Sequence, residues 1–323
     1  MPVGMLERTL IHALQINPRA PFRQLAQVLG ISQQTAARRY RALRDAGVLR
    51  VVGMVHPRRL GLVQWFVRLR CTPDAAQAVA MALARRRDTS WVQLTSGGTE
   101  IVCLTHSAAM DAPNALLLRE LPRTPRVVSV TAHCLLRTFV GGPVGWPGLA
   151  GTLTVEQVAA LRPQPVEGPP DGPADLTDDG PLLDALAQDG RMSYTDLGRA
   201  VGRPEPVVRR RVSELRRHGA LYFDIDVDQN ALGFHAQALL WLSVRPGAVE
   251  RVAETLAGHP ENAFVGATTG PTNLLANIVC PDVEALHGYL TQRVGALEAV
   301  DRIETAPIIR TVKRAATPVF RMS

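Results

Sequence analysis

"LIHALQINPRAPFRQLAQVLGISQQTAARRYRALRDAGVL", residues 10–49, and "LLDALAQDGRMSYTDLGRAVGRPEPVVRRRVSELRRHGAL", residues 182–221, align without a gap at a shift of 172. Leu14 meets Leu186, Leu25 meets Leu197 and Gly30 meets Gly202. Arg38, Arg39, Leu43 and Gly47 meet Arg210, Arg211, Leu215 and Gly219. Downstream, Leu60-Gly61 answers Leu232-Gly233. "TSGGTEIV" from Thr95 answers "TTGPTNLL" from Thr268, and "VTAHCLLRT" from Val130 answers "IETAPIIRT" from Ile303, both at a shift of 173. So long a match with one inserted residue marks an internal duplication.

The start of each copy reads as three short helices. Leu6, Leu10, Ile11 and Leu14 stand at helical spacing over 5–16, and Asn17-Pro18 stops that run. A second helix fits 21–29, with Phe22, Leu25, Ala26 and Leu29 inward. Gly30 suits a turn with positive φ, and Ser32 suits the N-cap of a third helix that buries Ala36, Tyr40 and Leu43 and ends at Gly47. A glycine turn before a third helix is the pattern of a helix-turn-helix, whose third helix enters the major groove. The side chains placed to reach bases are Ser32, Gln33, Gln34, Thr35 and Arg38; Arg41 and Arg44 suit phosphates. Glutamine pairs well with adenine and arginine with guanine. Residues 1–60 hold ten arginines against Glu7 and Asp45, a net of +8, which exceeds the +7 of the whole chain. The bland alternative is a solvated basic face on an ordinary three-helix unit.

The second copy departs from this. Residues 175–232 hold eight arginines against eleven acids, a net of −3. The third helix keeps Arg209, Arg210, Arg211, Arg216 and Arg217, of which Arg209 and Arg210 are the candidates for DNA contact. Glu205 stands where the first copy has Gln33, and Pro204 and Pro206 occupy the helix start, where proline is tolerated but reads no base edge. The first module is therefore expected to dominate DNA affinity.

The second half of each copy reads β-α-β-β-α-β. "VQWFVRLRC" (63–71) is a strand and "PDAAQAVAMALARR" a helix. "SWVQLTS" and "TEIVCLTH" are strands around Gly97-Gly98. A helix is expected near 108–121, then the strand "RVVSVTAHCLLRTF". The second copy repeats the order over 235–312. The fold class is therefore α+β: two winged-type helix-turn-helix modules and two ferredoxin-like (βαββαβ) sensor domains in a tandem repeat. The boundaries read as 1–60, 61–140, a Pro/Gly-rich linker over 141–175, 176–232 and 233–323. Each sensor sheet has one face to cover, and pairing with the other sheet within the chain covers it. In the linker, Thr154 is placed to cap a short helix "VEQVAAL", but the segment reads first as a plain spacer, extended from Pro163 to Pro173. A flexible chain of that length spans roughly 30 Å, close to the ~34 Å between half-sites one helical turn apart.

No apolar run approaches the ~18 residues of a membrane span, and the N-terminus "MPVGMLERTLIHAL" carries no secretion signal, so the expected compartment is the cytoplasm. Lys313 is the single lysine; the arginine, alanine, glycine and proline content suggests a GC-rich bacterial genome. Cys71, Cys103, Cys134 and Cys280 lie far apart and read as small buried hydrophobes. His56, His106, His133 and His259 are scattered, and no metal site, cofactor site or catalytic grouping is expected.

The helix-turn-helix ending "RRYRALRDAGVL", the return strand "VVGMVHPRRLGL" and the strand-turn-strand "LTSGGTEIV" resemble the Lrp/AsnC, or feast/famine, family of regulators. The second copy repeats the resemblance in "RRRVSELRRHGAL", "DIDVDQNALGF" and "ATTGPTNLL". That resemblance implies double-stranded DNA as partner, paired sensor domains that assemble into homo-oligomers, and a small-molecule effector such as an amino acid held near the turn between the second and third sensor strands. The matching positions are Ser96, Gly97, Gly98, Thr99 and Glu100, and Thr269, Gly270, Pro271, Thr272 and Asn273. The family turn carries an acid after its glycine; Gly98 and Pro271 stand there instead. Glu100 suits an ammonium group, whereas Asn273 is uncharged, and a plain tight turn fits both. Two rival readings remain: a ligand sensor without DNA binding, and a siroheme-decarboxylase-like enzyme. The latter resemblance implies a His-Cys-Tyr-type motif, and "TSWVQLTSG" and "NAFVGATTG" contain none of these residues.

Overall fold

In the computed structural model, which describes residues 3–86, 88–107, 121–124, 126–142, 146, 148, 151–163 and 175–314, the second copy follows the expected order, and so do the described elements of the first. The first opens with helices α1 (Met5–Ile16), α2 (Phe22–Leu29) and α3 (Gln33–Asp45) and strand β1 (Leu49–Val55). Its sensor half comprises β2 (Val63–Cys71), α4 (Ala76–Arg85), β3 (Thr89–Thr95), β4 (Glu100–Ser107) and β5 (Val127–Val140). Helix α5 (Val155–Leu161) lies between the copies. The second copy gives α6 (Gly180–Gln188), α7 (Tyr194–Val201), α8 (Glu205–Arg217) and β6 (Leu221–Val227). Then come β7 (Ala236–Val244), α9 (Val249–Ala257), β8 (Asn262–Thr268), β9 (Leu274–Cys280), α10 (Val283–Gly288) and β10 (Val300–Lys313). The helix expected near 108–121 and the spacer 164–174 lie essentially outside the described residues.

Like parts of the two copies gather together. One unit holds Met1–Leu60 with Leu149–Leu232, the other Gly61–Gly148 with Gly233–Ser323. In the first unit, Leu10, Ile11, Leu14, Leu25 and Leu43 are fully buried, and Leu182, Leu186, Leu197, Val212 and Leu215 do the same work in the second module. Gly30 and Gly202 take the left-handed conformation at the turn, with φ of 65° and 67°. The strand after each third helix pairs with its counterpart: β1 and β6 run antiparallel from Leu49↔Val227 to Val55↔Leu221. Gly53 lets α6 pack close on β1, because a Cβ there would stand 2.8 Å from the Leu186 Cβ.

The middle of the linker is not a plain spacer. Thr154 and Gln157 form a capping box on α5. Leu161 is completely buried. Gln157 Nε2 donates to the Val28 carbonyl at 2.8 Å, Gln24 Nε2 to that of Ala160 at 2.8 Å and Asn17 Nδ2 to that of Leu161 at 3.1 Å. His12 Nδ1 and Thr152 Oγ1 lie 2.8 Å apart. Seven residues are too few to hold a helix in water; docking on α1 and α2 holds this one.

In the second unit the eight strands close into a barrel of order β10-β3-β4-β2-β5-β8-β9-β7. The closing device is strand length. β5 and β10 are each 14 residues. Their first halves pair inside their own domain, with β2 and β7. Their second halves cross to the edges of the other domain, Leu135↔Thr268 on β8 and Ile308↔Thr95 on β3. Two exposed sheet edges are thereby removed. Phe66, Val102, Leu104, Leu239, Trp241, Leu275 and Ala306 pack between the two sheets, away from the helices. All four cysteines are buried free thiols, and burial pushes Cys103 up to about 12.

Candidate nucleic-acid interface

Helix α3 presents a clean basic face. Ser32 caps it, its Oγ accepting from the Thr35 N–H at 3.1 Å and donating to Thr35 Oγ1 at 2.9 Å. The cap therefore uses the polar atoms of Ser32 and Thr35 on the helix itself. Ala36, Tyr40 and Leu43 face the core. Gln33, Gln34, Arg38, Arg41 and Arg44 are exposed on the opposite side. Arg38 enters no ion pair among the described residues. Arg41 Nε donates to the Ala37 carbonyl at 3.3 Å, and Arg44 lies 3.6 Å from both Asp45 and Asp189. Arg39 belongs to the fold: its Nη1 donates at 2.9 Å to Glu7, whose side chain is buried.

Helix α8 repeats the scaffold and alters the face. Arg211 takes the place of Arg39 and holds the buried Asp179, Nη2 to Oδ2 at 2.7 Å. Arg209 donates to Glu205 and lies over the Tyr194 ring, 4.7 Å from its centroid. Thr195 and then Arg209 hold the exposed Glu205 carboxyl below its usual range through hydrogen bonds. Arg210 lies 3.6 Å from Glu214. An acid on the same helix thus pairs closely with Arg209 and another lies near Arg210, as Asp45 and Asp189 lie near Arg44, whereas Arg38 has no ion-pair partner among the described residues.

The sensor turns also differ. After β3, Ser96, Gly97 and Gly98 run through positive φ of 52°, 73° and 84°, which glycine tolerates best. Glu100 is buried and accepts from Arg68 Nε and Nη2 at 2.9 and 2.7 Å, from Thr95 Oγ1 at 3.0 Å and from Ser96 Oγ at 3.1 Å. Arg68 also donates to Glu304, Nη1 to Oε2 at 3.1 Å, and lies over Trp241, 4.6 Å from the ring centroid. Those hydrogen bonds and the nearby cation hold Glu304 below its ordinary range. Thr99 Oγ1 closes the turn on the Ser96 carbonyl at 3.0 Å. In the second turn, Asn273 ties both ends of its amide to Val244, accepting from the N–H at 2.9 Å and donating to the carbonyl at 2.7 Å. Thr268 Oγ1 donates to the Thr272 carbonyl at 3.1 Å. Thr269 clasps Cys134: its N–H donates to the Cys134 carbonyl and its Oγ1 accepts from the Cys134 N–H, each at 2.9 Å. Gly270 packs on His133, where a Cβ would approach Nδ1 to 2.5 Å.

Comparison with known proteins follows this division. An AsnC-type helix-turn-helix domain matches residues 6–44 and again 178–216, and an Lrp/AsnC ligand-binding domain matches residues 237–318. An HTH-type transcriptional regulator of Pyrococcus furiosus is 30% identical over 134 residues, which are 41% of this chain and 90% of the relative. The chain belongs to the Lrp/AsnC family. Another relative, an HTH-type transcriptional regulator of Pyrococcus horikoshii, is 28% identical over 137 residues, 42% of this chain and 86% of its own length. Among solved structures, the siroheme decarboxylase NirDL aligns with a TM-score of 0.63 at 15% identity, over 98% of this chain and 95% of that one. At that identity the likeness concerns the fold.

In this Lrp/AsnC protein the residues from Ser32 to Arg44 lie along α3 and its cap, Arg209 and Arg210 lie on α8, and the two turns sit on the barrel in the other unit. Among the described residues, no His, Cys, Asp or Glu grouping could hold a metal ion, and no helix is long and apolar enough to cross a membrane. Sequence reasoning missed Arg68 and Glu304, which surround Glu100, and it missed Arg19 and Arg191. The last two carried a signal: both occupy the same position at the shift of 172, in a turn and not on a helix face.

Proposed function

We propose that this Lrp/AsnC chain is a transcription regulator that binds duplex DNA with α3 as its principal reader and α8 as a weaker, different one. The observation that carries this reading is an exposed Arg38 without an ion-pair partner among the described residues, beside exposed Gln33 and Gln34, on a module of net charge +8. Gln33, Gln34 and Arg38 address base edges, Arg41 and Arg44 phosphates, and Ser32 and Thr35 mainly cap the helix. Arg209 and Arg210 meet DNA only in competition with Glu205 and Glu214. Two unlike heads on one chain favour an operator with unlike halves. The sensor unit takes a small metabolite near the two turns; Glu100 and Asn273 act there as internal struts, so the ligand's contacts fall on neighbouring backbone and hydroxyls. The chain works without catalysis, in the cytoplasm, and assembles further through its sensor unit.

Selection of genomic fragments on purified protein at physiological salt, with and without a metabolite panel, tests this. The expected result is an enriched sequence whose two halves differ, bound with a slope of log affinity on log salt near about −0.9 per neutralised phosphate. Binding indifferent to salt, or a palindrome with two equal halves, overturns the reading. The enzymatic alternative has one support, the fold shared with NirDL. A tetrapyrrole absorption band on the purified protein would bring it forward.

A further inference from the structure

Two arginines at equivalent positions cross between the helix-turn-helix modules. Arg19, in the turn between α1 and α2, donates to the carbonyls of Gly190 at 2.7 Å and Met192 at 3.1 Å. Arg191, in the turn between α6 and α7, donates to the carbonyls of Pro18 at 2.7 Å and Ala20 at 2.8 Å. Each guanidinium also lies on rings of the opposite module. Arg19 stands 5.0 Å from the ring centroids of Tyr194 and Phe223, and Arg191 stands 4.5 Å from Phe22 and 5.2 Å from Tyr40. Burial holds both guanidiniums below their ordinary range. No ion pair joins either to a carboxylate among the described residues. They are held by carbonyls and π faces, which demand orientation more than a point charge does.

The rings involved tie this lock to the reading helices. Tyr40 is a core residue of α3. Phe223 lies on β6, the strand that follows α8 and pairs with β1. One head cannot turn against the other without breaking both arginine locks and the strand pair. Helix α5 of the linker docks on α1 and α2 of the first module.

We propose that Arg19 and Arg191 are positioning residues that fix the separation and angle of the two recognition helices, so that the chain accepts its two half-sites at one spacing only. This rests on the DNA-binding reading above.

The test uses the full chain and the duplex recovered by genomic selection, with one to five base pairs inserted between the two protected halves. Five pairs turn one half to the opposite side of the duplex. The native chain is expected to lose at least about tenfold in affinity there, because two tethered heads can no longer engage together. The Arg19→Lys/Arg191→Lys double variant keeps the charge and loses the fork. It is expected to bind the native spacing about tenfold more weakly and to lose the part of the insertion penalty that the β1–β6 pair does not hold. Arg137→Lys, which alters an exposed pair with Glu250 in the sensor unit, keeps the native profile. The single variants serve if circular dichroism shows the double variant unfolded. A native chain indifferent to spacing, a footprint of one half only, or variants with the native insertion penalty overturns the proposal. Failure to recover any salt-dependent, sequence-specific duplex overturns it together with the DNA-binding reading, and is distinguishable from those outcomes.

Discussion

Helices α3 and α8 share length, register and the ion pair that anchors each to the first helix of its module, Arg39 to Glu7 and Arg211 to Asp179. They differ on the face that turns outward. On α3 the cap is a serine, the next two side chains are glutamines, and Arg38 enters no ion pair among the described residues. On α8 a proline takes the cap position, Glu205 binds Thr195 and Arg209, and Arg210 leans toward Glu214. The scaffold positions agree between the two copies, and the outward-facing positions differ.

The sharpest way to break that contrast is at the reading positions. Gln34→Ala with Arg38→Ala should weaken specific binding by about 1–3 kcal/mol for each true base contact, roughly fivefold to 150-fold apiece. Arg210→Ala, at the position equivalent to Arg38, should cost clearly less. Fluorescence anisotropy on the selected duplex compares them, and equal losses would erase the distinction between the heads.

The next contrast is mechanical. Helix α5 braces the first module, and among the described residues no equivalent helix docks on the second. Leu161→Ala removes a fully buried side chain and should cost about 2–5 kcal/mol in denaturant unfolding. Hydrogen exchange should accelerate in α1 and α2 more than in α6 and α7. Uniform acceleration would mean that the brace serves both heads.

The smallest expected effect is electrostatic. Glu205→Gln releases Arg209 from its acid. The salt dependence of duplex binding should steepen by about one unit of slope, with a modest gain in affinity confined to the second half-site. No change would mean that α8 does not approach the backbone there.

Legibility varied with the range of the interaction that decides each feature. The three helices, the turn glycines and the Ser32 cap rest on neighbours within a few positions, and periodicity exposes them. The βαββαβ order rests on local alternation, and it too was readable. Helix α5 was half readable: Thr154 and Gln157 announce a capping box, but seven residues become a helix only by docking on α1 and α2. The roles of Glu100 and Asn273 were not readable, because Arg68 and Val244 reach them across a sheet. The equivalence of Arg19 and Arg191 lay in the repeat register, but their partners did not, since nothing nearby in the chain names the carbonyls and rings they meet.

Composition, spacing and the repeated register were enough to specify two copies of a DNA-reading head with a sensor domain, and to mark the first head as the more basic. Those properties follow from short-range pattern and from counting charge. Three-dimensional packing alone decided that like halves gather together, that strands of 14 residues cross over to close one barrel, and that crossed arginines lock the heads. Each of these depends on which distant edge, carbonyl or ring lies within a few ångströms of a group, and chain order does not encode that distance.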